Sequence, residues 1–149
     1  MTKDVLVSLR GLQFEQSGED PEQIETITVG NYYEKNGKHY VIYDEITEGF
    51  EELTKNRMKF NEQFLELTRT GLVNVHMVFE KNRKNMTSYQ TPYGNIMIGI
   101  DTKQIQIDEQ DDRIMVTVEY ALDMNYEFLA DCKIVLEIRS KEKREAFLL

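Results

Sequence analysis

Apolar residues recur at every second position along most of this chain. In RIMVTVEYAL, Ile114, Val116, Val118, Tyr120 and Leu122 alternate with Met115, Thr117, Glu119 and Ala121. CKIVLEIR sets Cys132, Ile134, Leu136 and Ile138 against Lys133, Val135, Glu137 and Arg139. GLVNVHMVFE sets Val73, Val75, Met77 and Phe79 against Leu72, Asn74, His76, Val78 and Glu80. A period of two sends successive side chains to opposite faces, so these runs predict strands with one buried wall and one wet wall. Residues 4–15, 24–34, 38–47, 57–69, 95–101 and 104–108 carry the same pattern.

Turn chemistry separates the runs. Asn36-Gly37 is the sharpest signal, because a type I′ hairpin needs positive φ at both central residues and this pair supplies it. Thr91-Pro92-Tyr93-Gly94 suits a type I turn: proline pre-sets φ at the second position and glycine is favoured at the fourth. Ser17–Pro21, Thr70-Gly71, Lys81–Lys84 and the acidic Asp108–Asp112 mark further connections. TEGFEELTKN is expected to form a turn or two of helix or a loop, and SKEKREAFLL has good helix formers at a length where independent helicity is marginal. About eight to ten short antiparallel strands with little helix fit an up-and-down barrel or a sandwich. The whole of 1–149 reads as a single all-β domain.

Length and composition agree. A chain of 149 residues buries roughly 68–70% of its unfolded surface, enough for a core without metal or disulfide staples. No apolar run approaches the ~18 residues of a membrane helix, and the N-terminus lacks the pattern of a secretory leader. The single Cys132 forms no internal disulfide and reads as a small buried apolar residue. A cytoplasmic location is therefore expected. The net charge of -9, with 12 acidic and 5 basic residues in 1–55, argues against nucleic acid, which needs cationic neutralisation of phosphates.

A resemblance attaches to particular residues. YQTPYG running into IMIGIDTKQI, Tyr43-x-Glu45 followed by Gly49, Met58-Lys59-Phe60, Arg69-x-Gly71, Met77-x-Phe79 and a late Tyr120 together resemble the YwiB-like family. The matching features run from Gly37 to Arg139. FEELTKNR, between Gly49 and Met58, is more charged than the family pattern. The resemblance implies a calycin-like (lipocalin-like) β-barrel of small Gram-positive bacterial proteins. It supplies no catalytic residues to carry over.

Catalytic signatures are absent from the sequence. His39 and His76 stand on different predicted strands with no zinc-binding spacing, so neither a metal nor a cofactor is expected. DEQDDRIMVTVE has Arg113 where a calcium loop needs glycine. Glu45, Glu66, Glu119 and Glu137 could meet inside a barrel, but exposed glutamate is the commoner outcome on a one-wet-face strand. The expectation leans away from an enzyme, and one using interior carboxylates or Arg69 is the third and least supported reading. A barrel interior that holds a small apolar or amphipathic ligand is the first reading. Arg69, Glu119, Lys133 and Arg139 are its candidate polar lining, and Tyr43, Met77, Phe79 and Tyr120 its candidate walls. A protein-interaction module using a strand edge or the acidic surface is the alternative. Far-ultraviolet circular dichroism is expected to be strand-dominated; a mostly helical spectrum would overturn the periodicity argument.

Overall fold

The computed structural model describes residues 3–11, 25–46 and 49–141. Ten strands follow one another: β1 (Asp4–Arg10), β2 (Glu25–Lys35), β3 (Lys38–Ile46), β4 (Leu53–Phe60) and β5 (Phe64–Gly71). Then come β6 (Val75–Glu80), β7 (Lys84–Thr91), β8 (Gly94–Glu109), β9 (Arg113–Met124) and β10 (Glu127–Ser140). They form one sheet in the order β6-β5-β4-β3-β2-β1-β10-β9-β8-β7, with every ladder antiparallel. The β1–β10 pairing joins the two halves of the meander. The sheet then curls until β6 and β7 meet, giving a nearly closed up-and-down barrel.

The alternation seen in the sequence becomes the inner wall. Ile114, Val116, Val118, Tyr120 and Leu122 are buried, as are Ile134, Leu136 and Ile138, and Val75, Met77 and Phe79. Val5, Val7, Val41, Met58, Phe60, Leu65, Leu67, Ile98 and Ile100 complete a continuous apolar interior. Phe79 and Tyr120 meet edge to face at the centre, with centroids 5.0 Å apart. Such pairs add to the gain from area burial.

The turns show why some boundaries were legible and others were not. Asn36 and Gly37 have φ of 54° and 73°, the type I′ geometry expected. Residues 57–69, read as one strand, are two. Asn61 breaks them, its Oδ1 accepting the N–H groups of Gln63 (2.8 Å) and Phe64 (3.2 Å) in an Asx turn. Conversely, 95–101 and 104–108 belong to one strand, β8, interrupted by a register shift between Thr102 and Gln104. That bulge reverses the phase, so Ile98, Ile100 and Thr102 face inward before it and Ile105 after it. β7 is mostly polar and lacks a clear apolar alternation in the sequence; Tyr89 is its one buried side chain. The helical option for TEGFEELTKN gives way to bend and strand over 49–60. Ser17–Pro21 and the last eight residues of the chain lie outside the described residues.

The β9–β10 turn carries strain. Asn125 and Tyr126 both have positive φ, 51° and 71°, and a tyrosine pays for the left-handed region with a crowded Cβ. Gly71 is the opposite case, since at φ 136° an added Cβ would sit 2.1 Å from the Leu53 carbonyl oxygen. Tyr126→Gly is expected to stabilise the protein by about 0.5–1 kcal/mol. Gly71→Ala is expected to destabilise it by about 2 kcal/mol. Urea denaturation of the two variants beside the parent checks both signs.

Candidate functional site

The pairing of β3, β4, β5 and β6 lines up one inward-facing row near an end of the barrel: Tyr43 opposite Asn56, Asn56 opposite Arg69, and Arg69 opposite Val75. Glu45, opposite Thr54, stands one step nearer the rim. Here the wall changes from apolar to polar. Arg69 Nη2 donates to Glu45 Oε1 at 2.6 Å, and Asn56 Nδ2 donates to the same oxygen at 3.2 Å. Arg69 Nη1 donates to the Tyr89 hydroxyl, also at 2.6 Å, reaching past the start of β6 to β7.

The cluster is deeply placed. The Arg69 side chain is 10% exposed, while Glu45, at 32%, opens it to solvent. A charge so buried needs a partner, because desolvation otherwise costs several kcal/mol. Glu45 provides that partner, and the planar guanidinium spends its two terminal nitrogens on different strands. Burial holds the Tyr43 phenol above its ordinary pKa; nearby Arg69 opposes this and Glu45 adds to it. Two atoms in this row, Arg69 Nε and Asn56 Oδ1, are buried without a hydrogen-bond partner in the protein. A buried donor and a buried acceptor left over in one cluster are uncommon.

The candidates read from the sequence divide cleanly. Arg69 and Tyr43 belong to this cluster. Met77, Phe79 and Tyr120 lie deeper, in the packed apolar interior. Glu119, Lys133 and Arg139 do not line the interior: they fall on the alternate positions of β9 and β10 and are exposed. Glu119 stands opposite Lys133 on the outer wall, and Arg139 Nε donates toward Glu137 at 3.1 Å. The four glutamates weighed for acid–base work likewise separate. Glu45 faces the rim of the interior, while Glu66 (3.3 Å from His76), Glu119 and Glu137 occupy outward positions. Asn56 and Tyr89 escaped the sequence reading because nothing within one strand announces its cross-strand neighbours.

The comparisons with known proteins agree with this barrel. The family model described as "Domain of unknown function (DUF1934)" matches residues 7–136. The chain belongs to that family. A solved structure similar to it is the crystal structure of the YwiB protein from Bacillus subtilis. It is 22% identical with a TM-score of 0.73, and the match covers 94% of this chain and 93% of that one. The fold expected from the YwiB-like resemblance, a calycin-like barrel, is thus the fold of this DUF1934 member. A comparison with curated proteins finds no match. Among the described residues, no helix is long and apolar enough to cross a membrane.

Arg69→Met strands the partly buried Glu45 carboxylate and removes the link to β7. The expected loss is about 2 kcal/mol or more, reduced from a fully buried pair by the exposure of Glu45. Tyr89→Phe removes one hydrogen bond and is expected to cost about 1 kcal/mol. Thermal unfolding of both variants checks that order.

Proposed function

We propose that this DUF1934 protein is a noncatalytic binder of a small amphipathic molecule, taken at the Arg69 end of the barrel. The carrying observation is the pair of unmatched polar atoms, Arg69 Nε and Asn56 Oδ1, buried within a row that reaches solvent through Glu45. One N–H and one carbonyl oxygen, both pre-positioned by neighbouring strands, suit a head group with one acceptor and one donor. A carboxamide or a hydroxylated head has that pattern. Tyr43, Val75 and Tyr89 give the row apolar and aromatic surface for the attached hydrocarbon.

The packing favours entry at the rim over engulfment. Met77, Phe79 and Tyr120 are buried in the centre of the barrel, whereas the Arg69 row reaches solvent through Glu45. The outward placement of Glu66, Glu119 and Glu137 supports binding over acid–base catalysis. With one cysteine and no possible internal disulfide, the protein suits a reducing compartment such as the cytoplasm.

Native mass spectrometry of freshly purified protein is expected to show a small-molecule adduct that is lost on mild activation. Octanamide serves as a defined probe: its titration is expected to shift the Asn56 side-chain amide and the Arg69 Nε–H resonances in NMR spectra. A bare protein mass together with unmoved resonances at both residues would contradict the reading.

A further inference from the structure

The opposite end of the barrel holds a second polar cluster. Glu34 stands opposite His39 across the β2–β3 hairpin, on the inward face, and His39 stands opposite Phe60 of β4. Glu109, the last residue of β8, meets them from the far wall. The His39 ring is clamped between Phe60 (5.0 Å) and Tyr32 (5.9 Å), both near-parallel to it. Its side chain is only 8% exposed. The imidazole is therefore rigid, buried and fixed in direction, while the two glutamates, each 54% exposed, are free to adjust.

The nitrogens of His39 have different surroundings. Nδ1 lies 2.6 Å from the Tyr32 hydroxyl. Nε2 lies 3.7 Å from Glu109 Oε2, beyond hydrogen-bond range, so this deeply buried ring directs a nitrogen with no close hydrogen bond toward a carboxylate. Glu34 Oε2 lies 3.5 Å from Nδ1, and one ligand atom from each of Glu34, His39 and Glu109 falls within 4.8 Å of the others. A tetrahedral ion with bonds of ~2.1 Å spaces its ligand atoms by about 3.4 Å, so the two exposed carboxylates, Glu34 nearer Nδ1 and Glu109 nearer Nε2, rotate toward Nε2 to close the set.

We propose that Glu34, His39 and Glu109 bind a divalent transition-metal ion at this mouth. One imidazole with two carboxylates is a borderline donor set, suited to Zn²⁺ or Mn²⁺ rather than to the all-oxygen shells of Ca²⁺ and Mg²⁺. Metal on Nε2 requires Nδ1 to carry the proton and donate it to the Tyr32 oxygen, the outer hydrogen bond that fixes a metal-bound histidine. Tyr32 fits that role. Its hydroxyl oxygen lies 2.6 Å from Nδ1, placed to accept that hydrogen bond. Open space adjoins the cluster on two sides. A hollow of about 350 Å³ includes Glu34, His39, Glu109 and Glu62 in its lining, and one of about 760 Å³ includes Glu34, Glu109 and Asp111. Three protein ligands leave coordination positions facing that space. The acidic lining, within a chain of net charge -9, concentrates cations there. This site is distinct from the Arg69 row and does not rest on it.

Calorimetric titration with Zn²⁺ alone is expected to show one site with micromolar affinity. Glu34→Gln and Glu109→Gln, at exposed side chains that leave the core untouched, are each expected to weaken it by about ten- to a hundredfold. His76→Gln, on the outer wall, is expected to leave it unchanged. Mn²⁺ is expected to broaden the His39 ring resonances in NMR spectra before those of His76. Affinity no better than millimolar, or affinity unchanged in the Glu34→Gln, Glu109→Gln double variant, would overturn the assignment.

Discussion

Closure of the sheet between β6 and β7 is the constraint on which everything else in this molecule depends. Ten strands in one antiparallel sheet have a continuous apolar face, and that face is out of water only if the two end strands meet. They meet with little backbone pairing. Asn74 and Gln90 exchange two hydrogen bonds at one end of the seam, 3.0 and 2.9 Å long. At the other end the β6–β7 turn leans on β8, with Asn82 N–H donating to Thr102 and Thr102 N–H donating to Arg83. Beside the Asn74–Gln90 clasp, the Arg69 guanidinium holds β3 and β7 together through Glu45 and Tyr89. A buried charge network thus stands where the backbone ladder is absent.

The same wall explains why both polar clusters sit at the ends. In the middle of a filled barrel an inward side chain meets only other inward side chains, and a polar group there has no water to fall back on. Near a rim, a polar inward residue keeps one side toward solvent and pairs on the other. Arg69 with Glu45, and His39 with Glu34 and Glu109, are two instances at opposite ends of β3 and its neighbours. What separates them is the remainder after pairing. The Arg69 row keeps an unmatched donor and acceptor; the His39 cluster keeps acidic oxygens around a fixed imidazole. The first is the basis of the proposed small polar head group, the second of the proposed cation site.

Much of the fold was legible because alternation is local. The inward sets of β6, β9 and β10, and the turn at Asn36-Gly37, follow from neighbouring residues alone. The misread boundaries have local causes too: an Asx turn at Asn61 without glycine or proline, and a phase reversal at the β8 bulge. The sites were less legible because cross-strand register decides them. Arg69 stood out as a charge in an apolar strand beside a turn. Glu45, Asn56 and Tyr89 become its neighbours only once β3, β4, β5 and β7 are aligned. Parity shows that Glu119, Lys133 and Arg139 alternate with the buried sets of β9 and β10, and this places them outside.

Amide hydrogen exchange tests the central claim most directly, since it reads local opening residue by residue. Replacing Arg69 with methionine is predicted to speed exchange first at Asn74 and Gln90 and along β6 and β7, while β1, β9 and β10 keep their protection. Uniform loss of protection across the sheet, or an unchanged seam, would contradict the view that this buried ion pair closes the barrel.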